Sequence, residues 1–140
     1  MRVEAIHLGA PRTPELWTVE SVRAFAGKGL EGDRHFHEEG APAGQALTLV
    51  EAEEVERVDL PEGATRRQLT VRGVRLNGLV GKRFKVGDVE CYGVELCEPC
   101  EHLESMTRPG IIKELVHRAG LNADILTDGT IAVGDAIAEI

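Results

Sequence analysis

Twice the chain runs a short apolar stretch into a Gly-Asp pair and out again: K-V-G-D-V-E at Lys85–Glu90 and A-V-G-D-A-I at Ala132–Ile137. Gly-Asp between short alternating runs is the chemistry of a tight turn joining strands, and it leaves no room there for a helix. The echo is too short to be an internal repeat. The same punctuation recurs along the chain. Arg2–Leu8 alternates apolar and polar residues, and so does Val19–Ala26, which ends at Gly27-Lys28-Gly29. Ala46–Val50 is a short apolar strand. Arg83–Val86 and Val89–Leu96 read as the two arms of a hairpin. Ala123–Leu126, Thr130–Val133 and Ala136–Ile140 are further short strands. Leu30–Gly44 reads as a loop, and Leu69–Leu79, with Gly73, Asn77 and Gly78, as irregular or strand-like.

Two segments break the period of two. Glu51–Val58 carries Ala52, Val55 and Val58 on one helical stripe, with Thr48 and Glu51 spaced as a capping box. Pro109–Ala119 is the stronger helix, with Ile111, Ile112, Leu115, Val116 and Ala119 as its apolar face and Gly120 as its C-terminal cap. The expectation is one mainly β domain over residues 1–140, a small barrel or sandwich with at least two short helices.

Charge narrows the function. Sixteen basic against twenty-four acidic residues give a net charge of −8. That argues against a general binder of nucleic acid or membrane surface. The N-terminal M-R-V-E-A-I-H-L has no signal-peptide core, and no apolar run approaches membrane-span length. A soluble, cytoplasmic protein is expected. Within this acidic chain, Arg66, Arg67, Arg72, Arg75, Lys82, Arg83 and Lys85 form a basic segment without one acid among them. It reads either as a solvated face or as an anion site, where arginine gives bidentate hydrogen bonds and Asn77 adds an amide.

Three cysteines argue against a disulfide scaffold. Cys91 lies mid-strand and reads as structural. Cys97 and Cys100 stand in L-C-E-P-C-E-H-L-E, which leaves four readings open. A redox pair needs a lowered thiol pKa, and Glu95, Glu98, Glu101 and Glu104 push the other way. A zinc site would take Cys97, Cys100 and His102, with a fourth ligand from His35 or His37. Both thiols can instead be small buried side chains. Or one thiolate works, helped by positive charge from elsewhere in the chain. The stretch G-L-E-G-D-R-H-F-H, Gly29–His37, sets Asp33, Arg34 and His35 on one turn. It reads equally as a salt-bridged turn or as part of a site. His7 and His117 carry no spacing signal.

Taken in order, G-L-E-G-D-R-H, T-R-R-Q-L-T-V-R-G-V-R-L-N-G-L-V-G-K-R-F-K-V-G-D-V, L-C-E-P-C-E-H-L and D-G-T-I-A-V-G-D resemble the MOSC family, named for the C-terminal domain of molybdenum-cofactor sulfurase. The likeness runs from about Gly27 to Ile140. It implies a closed β-barrel like the small barrel domain of pyruvate kinase. It also implies molybdenum cofactor, a pterin with a dithiolene and a phosphate. The family's cysteine matches Cys100, as metal ligand or persulfide carrier. Arg34 and His35 match the family's G-D-R-H turn, and Arg67 its R-R-N segment beside the pterin. Gln68 stands where the family usually has Asn.

Two functions follow from the resemblance. One is molybdenum-dependent reduction of N-oxygenated small molecules, or sulfur transfer, with Cys100 at its centre and Asp33, Arg34, His35, Arg66, Arg67, Gln68, Arg72, Arg75 and Asn77 around the cofactor. The other is a non-catalytic cofactor carrier or small-anion module. A thiol–disulfide protein is a third reading. The implied partners are a small molecule and an electron-donor or cofactor-delivery protein.

Overall fold

The computed structural model describes all 140 residues. In chain order the strands are β1 Arg2–Gly9, β2 Leu16–Thr18, β3 Ser21–Phe25, β4 Gly29–Leu30 and β5 Leu47–Glu51, followed by helix α1 Ala52–Arg57. Then come β6 Leu69–Arg72, a single 3-10 turn at Leu76–Leu79, β7 Arg83–Val86 and β8 Val89–Leu96. Helices α2 Glu101–Met106 and α3 Ile111–Leu115 precede β9 Leu121–Ile125, β10 Gly129–Ala132 and β11 Ile137–Glu139. No helix is long and apolar enough to cross a membrane.

Eight strands form one sheet in the order β11-β7-β8-β9-β5-β6-β1-β2. The sheet curls until the start of β1 meets the residues that lead into β11. Arg2 bridges Ala136 across the seam, and the Val3 N–H donates to the Asp135 carbonyl at 2.9 Å while the Gly134 N–H donates to Val3 at 2.8 Å. Curling hides an edge that would otherwise invite other chains. Strands β10, β3 and β4 make a second, three-stranded sheet. Its Val22, Ala24, Leu30 and Ile131 join the same core as Phe84, Leu49, Leu69 and Leu121 of the barrel. Alternation explains which side faces in: Val22 and Ala24 of β3 are buried while Ser21 and Arg23 are exposed. A separate cluster of Val58, Leu103, Ile111, Leu115 and Ala119 seats α2 and α3 beside the end of α1.

Two expectations need correction, and one helix goes unread in the sequence. The stretch Pro109–Ala119 is helical only over Ile111–Leu115. Val116 turns to extended backbone and His117 takes φ +61°, so Leu115 and Ala119 reach the cluster without a continuous helix, and Val116 faces solvent. Thr48 does not cap α1. It sits in β5, where its hydroxyl accepts the Gln68 N–H at 2.9 Å. The Glu51 carboxylate, for its part, takes the Leu76 N–H at 3.2 Å rather than folding back on its own helix. And a helix follows Cys100 at once: Cys100 is the N-cap residue of α2, its carbonyl accepting the Glu104 N–H at 3.0 Å. Four glutamates in the ten residues Glu95–Glu104 hid that helix from the sequence pattern, which lacks an apolar stripe.

Candidate functional site

The site is built where β8 ends and β9 begins. Cys97 follows β8, and its N–H donates to the Gly120 carbonyl at 2.8 Å. Arg67 closes the other side. Its guanidinium donates to the carbonyls of Ala119 at 3.0 Å, Thr65 at 3.1 Å and Cys97 at 3.3 Å. One side chain thus ties the loop before β6, the loop before β9 and the cysteine loop together. The loop is held at its far end by α2. Between these anchors the two thiols differ. Cys97 is half-buried, and its burial pushes its pKa up, against the pull of the Arg67 charge. Cys100 is exposed. Cys91 is buried among β-strands, and burial pushes it up to about 12, which makes it structural as the sequence implied.

Two of the carboxylates around the cysteines are engaged by local hydrogen bonds. Glu98 accepts the His117 N–H at 2.7 Å and lies 2.6 Å from His117 Nδ1, and these bonds hold its carboxyl below the usual range. Glu104 accepts the N–H groups of Gly110 and Ile112 at 3.1 and 3.0 Å. Two of the four glutamates therefore have partners of their own.

A polar cavity of about 220 Å³ is lined by His35, His37, Gly44, Gln45, Thr48, Gln68 and Asn122. Asp33 organises its wall from inside the protein. The buried carboxylate accepts the Gly9 N–H at 2.8 Å, the His35 N–H at 3.1 Å and Gln68 Nε2 at 2.7 Å. Gln68 spends its other end on Thr48, whose N–H it accepts at 2.9 Å. Asp33 and Gln68 are thus frame for the site rather than free contacts. Arg34 is half-buried across Gly9, where its guanidinium fills the space a β-carbon would need. Desolvation lowers its pKa, Asp33 opposes this, and the neighbouring Arg66 adds to the lowering. Arg66 itself donates to the Pro14 carbonyl at 2.7 Å. His35 feels the same cations: partial desolvation first, then Arg34, hold its pKa below the ordinary histidine value.

The basic segment does not converge. Arg72 lies 2.7 Å from Glu4 and also pairs with Glu56, Lys82 pairs with Glu139 at 3.5 Å and Arg83 with Glu90 at 3.2 Å. Arg75 borders a different cavity. Asn77 donates to the His117 carbonyl at 2.8 Å and so braces the far side of the Glu98–His117 pair. The structure therefore groups Arg34, His35, Arg66, Arg67 and Gln68 around one frame, beside the loop of Cys100, and separates Arg72 and Arg75 from them. Sequence reading passed over Gln45, Thr48 and Asn122 as cavity walls. Asn122 carried a signal, since it is the polar member between buried Leu121 and Ala123 on β9.

The MOSC domain model matches residues 33–138. This chain belongs to the MOSC domain family. The match holds both the Asp33 frame and the cysteine loop. Solved structures similar to this MOSC domain share its fold at low identity. The YuaD protein of Bacillus subtilis superposes with a TM-score of 0.76 at 16% identity, covering 97% of this chain and 93% of that one. YiiM of Geobacillus stearothermophilus gives 0.71 at 19%, covering 99% and 74%. YiiM of Escherichia coli gives 0.72 at 16%, covering 100% and 70%. No curated protein matches the sequence.

A second histidine near the site gives a pH prediction. His7 on β1 is buried, its Nδ1 has no hydrogen-bond partner, and Glu62 stands 3.9 Å from its Nε2. Burial lowers its pKa, with Glu62 pulling weakly the other way. The unfolded chain therefore takes up a proton more readily than the folded one. The neutral ring's contribution is complete above its ordinary value of 6.5 and is lost as pH falls below it. Urea midpoints of the wild type are expected to drop between pH 7.5 and 5.5, and His7→Gln should flatten part of that slope. Equal slopes in both proteins would remove His7 from the account.

Proposed function

We propose that this MOSC domain binds the molybdenum cofactor, and that Cys100 provides the protein's sulfur to it, as ligand or as persulfide carrier. The observation that carries this is the contrast among the thiols: Cys100 alone is exposed, on a loop pinned by Arg67 at one end and α2 at the other. The chemistry of the donor set fits. No three His, Cys, Asp or Glu residues gather as a metal cluster. A cofactor that brings its own dithiolene needs only one further soft ligand, and a thiolate is such a ligand. When bound, the metal would supply the redox or sulfur chemistry.

The chain's own residues bind and orient. Arg34 and Arg66 offer positive charge to an anionic group, and Arg34 keeps its guanidinium free of carboxylate pairing. Arg67 holds the cysteine loop, and Asp33 with Gln68 fixes the turn that presents Arg34 and His35. Partial desolvation and the Arg34 charge favour His35 as a neutral ring near neutral pH, able to accept or donate one hydrogen bond. Reduction of an N-oxygenated small molecule in the cytoplasm, with an electron-donor protein as partner, is the catalytic form of this reading. A carrier form shares the site, and one observation favours it: the Gln68 amide is spent on Asp33 and Thr48, which leaves a cofactor one contact fewer.

The test is direct. Protein purified from a host that makes the cofactor should carry molybdenum and pterin fluorescence. Cys100→Ala should lose the metal, and Cys97→Ala should keep it. Turnover of an N-hydroxylated substrate with an artificial electron donor separates enzyme from carrier. Equal loss in both cysteine variants would favour the thiol pair instead, and wild-type protein without cofactor would end the proposal.

A further inference from the structure

Another cavity lies away from the cysteine loop. It measures about 640 Å³ and is bordered by Gly73–Arg75, the 3-10 turn, Lys82 and β11. It marks the part of the barrel seam that stays unzipped. Strand β11 pairs only with β7, antiparallel, with Ile137 opposite Val86 and Glu139 opposite Phe84. The Ile140 N–H donates to Arg83 at 3.0 Å and the Gly87 N–H to Ala136 at 2.8 Å. Ala136, Ala138 and Ile140 therefore turn their backbone groups toward β7. In an antiparallel pair the residues between them turn theirs away. Those are Ile137 and Glu139. The Ile137 N–H is met by the Met1 carbonyl at 3.1 Å. The Ile137 carbonyl and both backbone groups of Glu139 have no partner in the chain, and they face the cavity side.

The walls say what would lie there. Val74, Leu79 and Ile137 are buried and make an apolar floor. Arg75 at the rim has no carboxylate within ion-pair distance, whereas Arg72, Lys82 and Arg83 each have at least one. In a chain of net charge −8, an unpaired cation beside an apolar floor complements a carboxylate on an apolar strand. An open strand edge with such a pocket is the arrangement that captures an extended peptide by main-chain pairing.

The geometry points to a peptide-docking site at this seam: a short extended segment of a partner protein pairs with Ile137–Glu139, sets one large apolar side chain on Val74, Leu79 and Ile137, and places an acidic side chain on Arg75. This site is separate from the cofactor reading and stands or falls without it.

The probe is a fluorescein-labelled peptide, acetyl-Asp-Val-Leu-Val-Asp amide. Saturable anisotropy is expected, with amide chemical-shift changes at residues 74–79 and 137–139. Arg75→Glu should weaken binding about tenfold or more, the scale of one charge-assisted contact turned repulsive. Arg75 is exposed, so the variant should fold. Glu139→Pro removes the outward N–H while sparing the bonds to β7, and should weaken binding similarly; Glu139→Gln should not. No saturation below about 1 mM peptide, shifts confined to other residues, or equal binding by Arg75→Glu would overturn the proposal. Concentration-dependent dimers that vanish in Arg75→Glu would overturn it too, by assigning the seam to a second copy of this chain.

Discussion

Gly120→Ala is expected to cost this domain about 3–5 kcal/mol, the sum of a backbone shape reserved for glycine and a collision inside a packed sheet. Gly120 holds φ +127°, and a β-carbon there would strike the carbonyl oxygen of Leu49. Leu49 is the central residue of β5 and pairs with Leu121 of β9 and Leu69 of β6. Relief therefore requires β5 and β9 to separate, in a domain whose whole stability is about 5–15 kcal/mol. Thermal unfolding should fall by roughly 10 °C or more. Gly134 is the control. It too has positive φ, +94°, but nothing lies within 4 Å of its added carbon. Gly134→Ala should cost only about 1 kcal/mol. Equal effects at the two glycines would refute the collision argument. Because Gly120 also accepts the Cys97 N–H, the Gly120 variant should disturb the cysteine loop as well.

Asp33→Ala is expected to be nearly as damaging, at about 3–4 kcal/mol. The carboxylate is buried and receives two backbone N–H groups and one side-chain amide. Removing it leaves the Gly9 N–H and Gln68 Nε2 buried without acceptors. The Arg34 and Arg66 charges, already close, then face each other without their nearest anion. Two readouts separate framing from mere packing. Urea unfolding should shift to lower concentration, and protection of the Gly9 and His35 amides from hydrogen exchange should fall together. Asp33→Asn keeps the shape and one acceptor and should recover part of the stability. A variant as stable as wild type would show that the turn stands without its carboxylate.

Much of the architecture was legible because strands here are short and punctuated. Arg83–Val86, the Gly87-Asp88 turn and Val89–Leu96 form the hairpin that the alternation implied. The barrel seen in the resemblance is the curled sheet of the structure. The misses have local causes. Helix α2 has Leu103 as its one buried residue, too little for a periodic signal. The stretch after Leu115 has the right apolar spacing for a helix, but tertiary contacts at Ala119 and the His117 turn override it. The basic segment misled in another way. Charges close in sequence alternate across strand and turn, so Arg67 points to the cysteine loop while Arg72 points to Glu4 and Glu56. Composition reveals how much positive charge a segment has; only the fold reveals where each part of it goes.

The seam also sets a timetable. Strand β1 cannot complete its hydrogen bonds until residues 134–137 exist, since Val3 pairs with Gly134 and Asp135 and Met1 with Ile137. It also waits for β6, some seventy residues on, across from Arg2 at Arg72. On the ribosome β1 therefore emerges long before its partners, and the seam closes only once residues 134–137 have followed it. Such distant pairings place the folding rate in the slow, millisecond-to-second regime of β-barrels. During that interval the half-made barrel presents bare apolar edges, so yield in a cell should depend on temperature and chaperone supply more than the finished domain's stability would suggest.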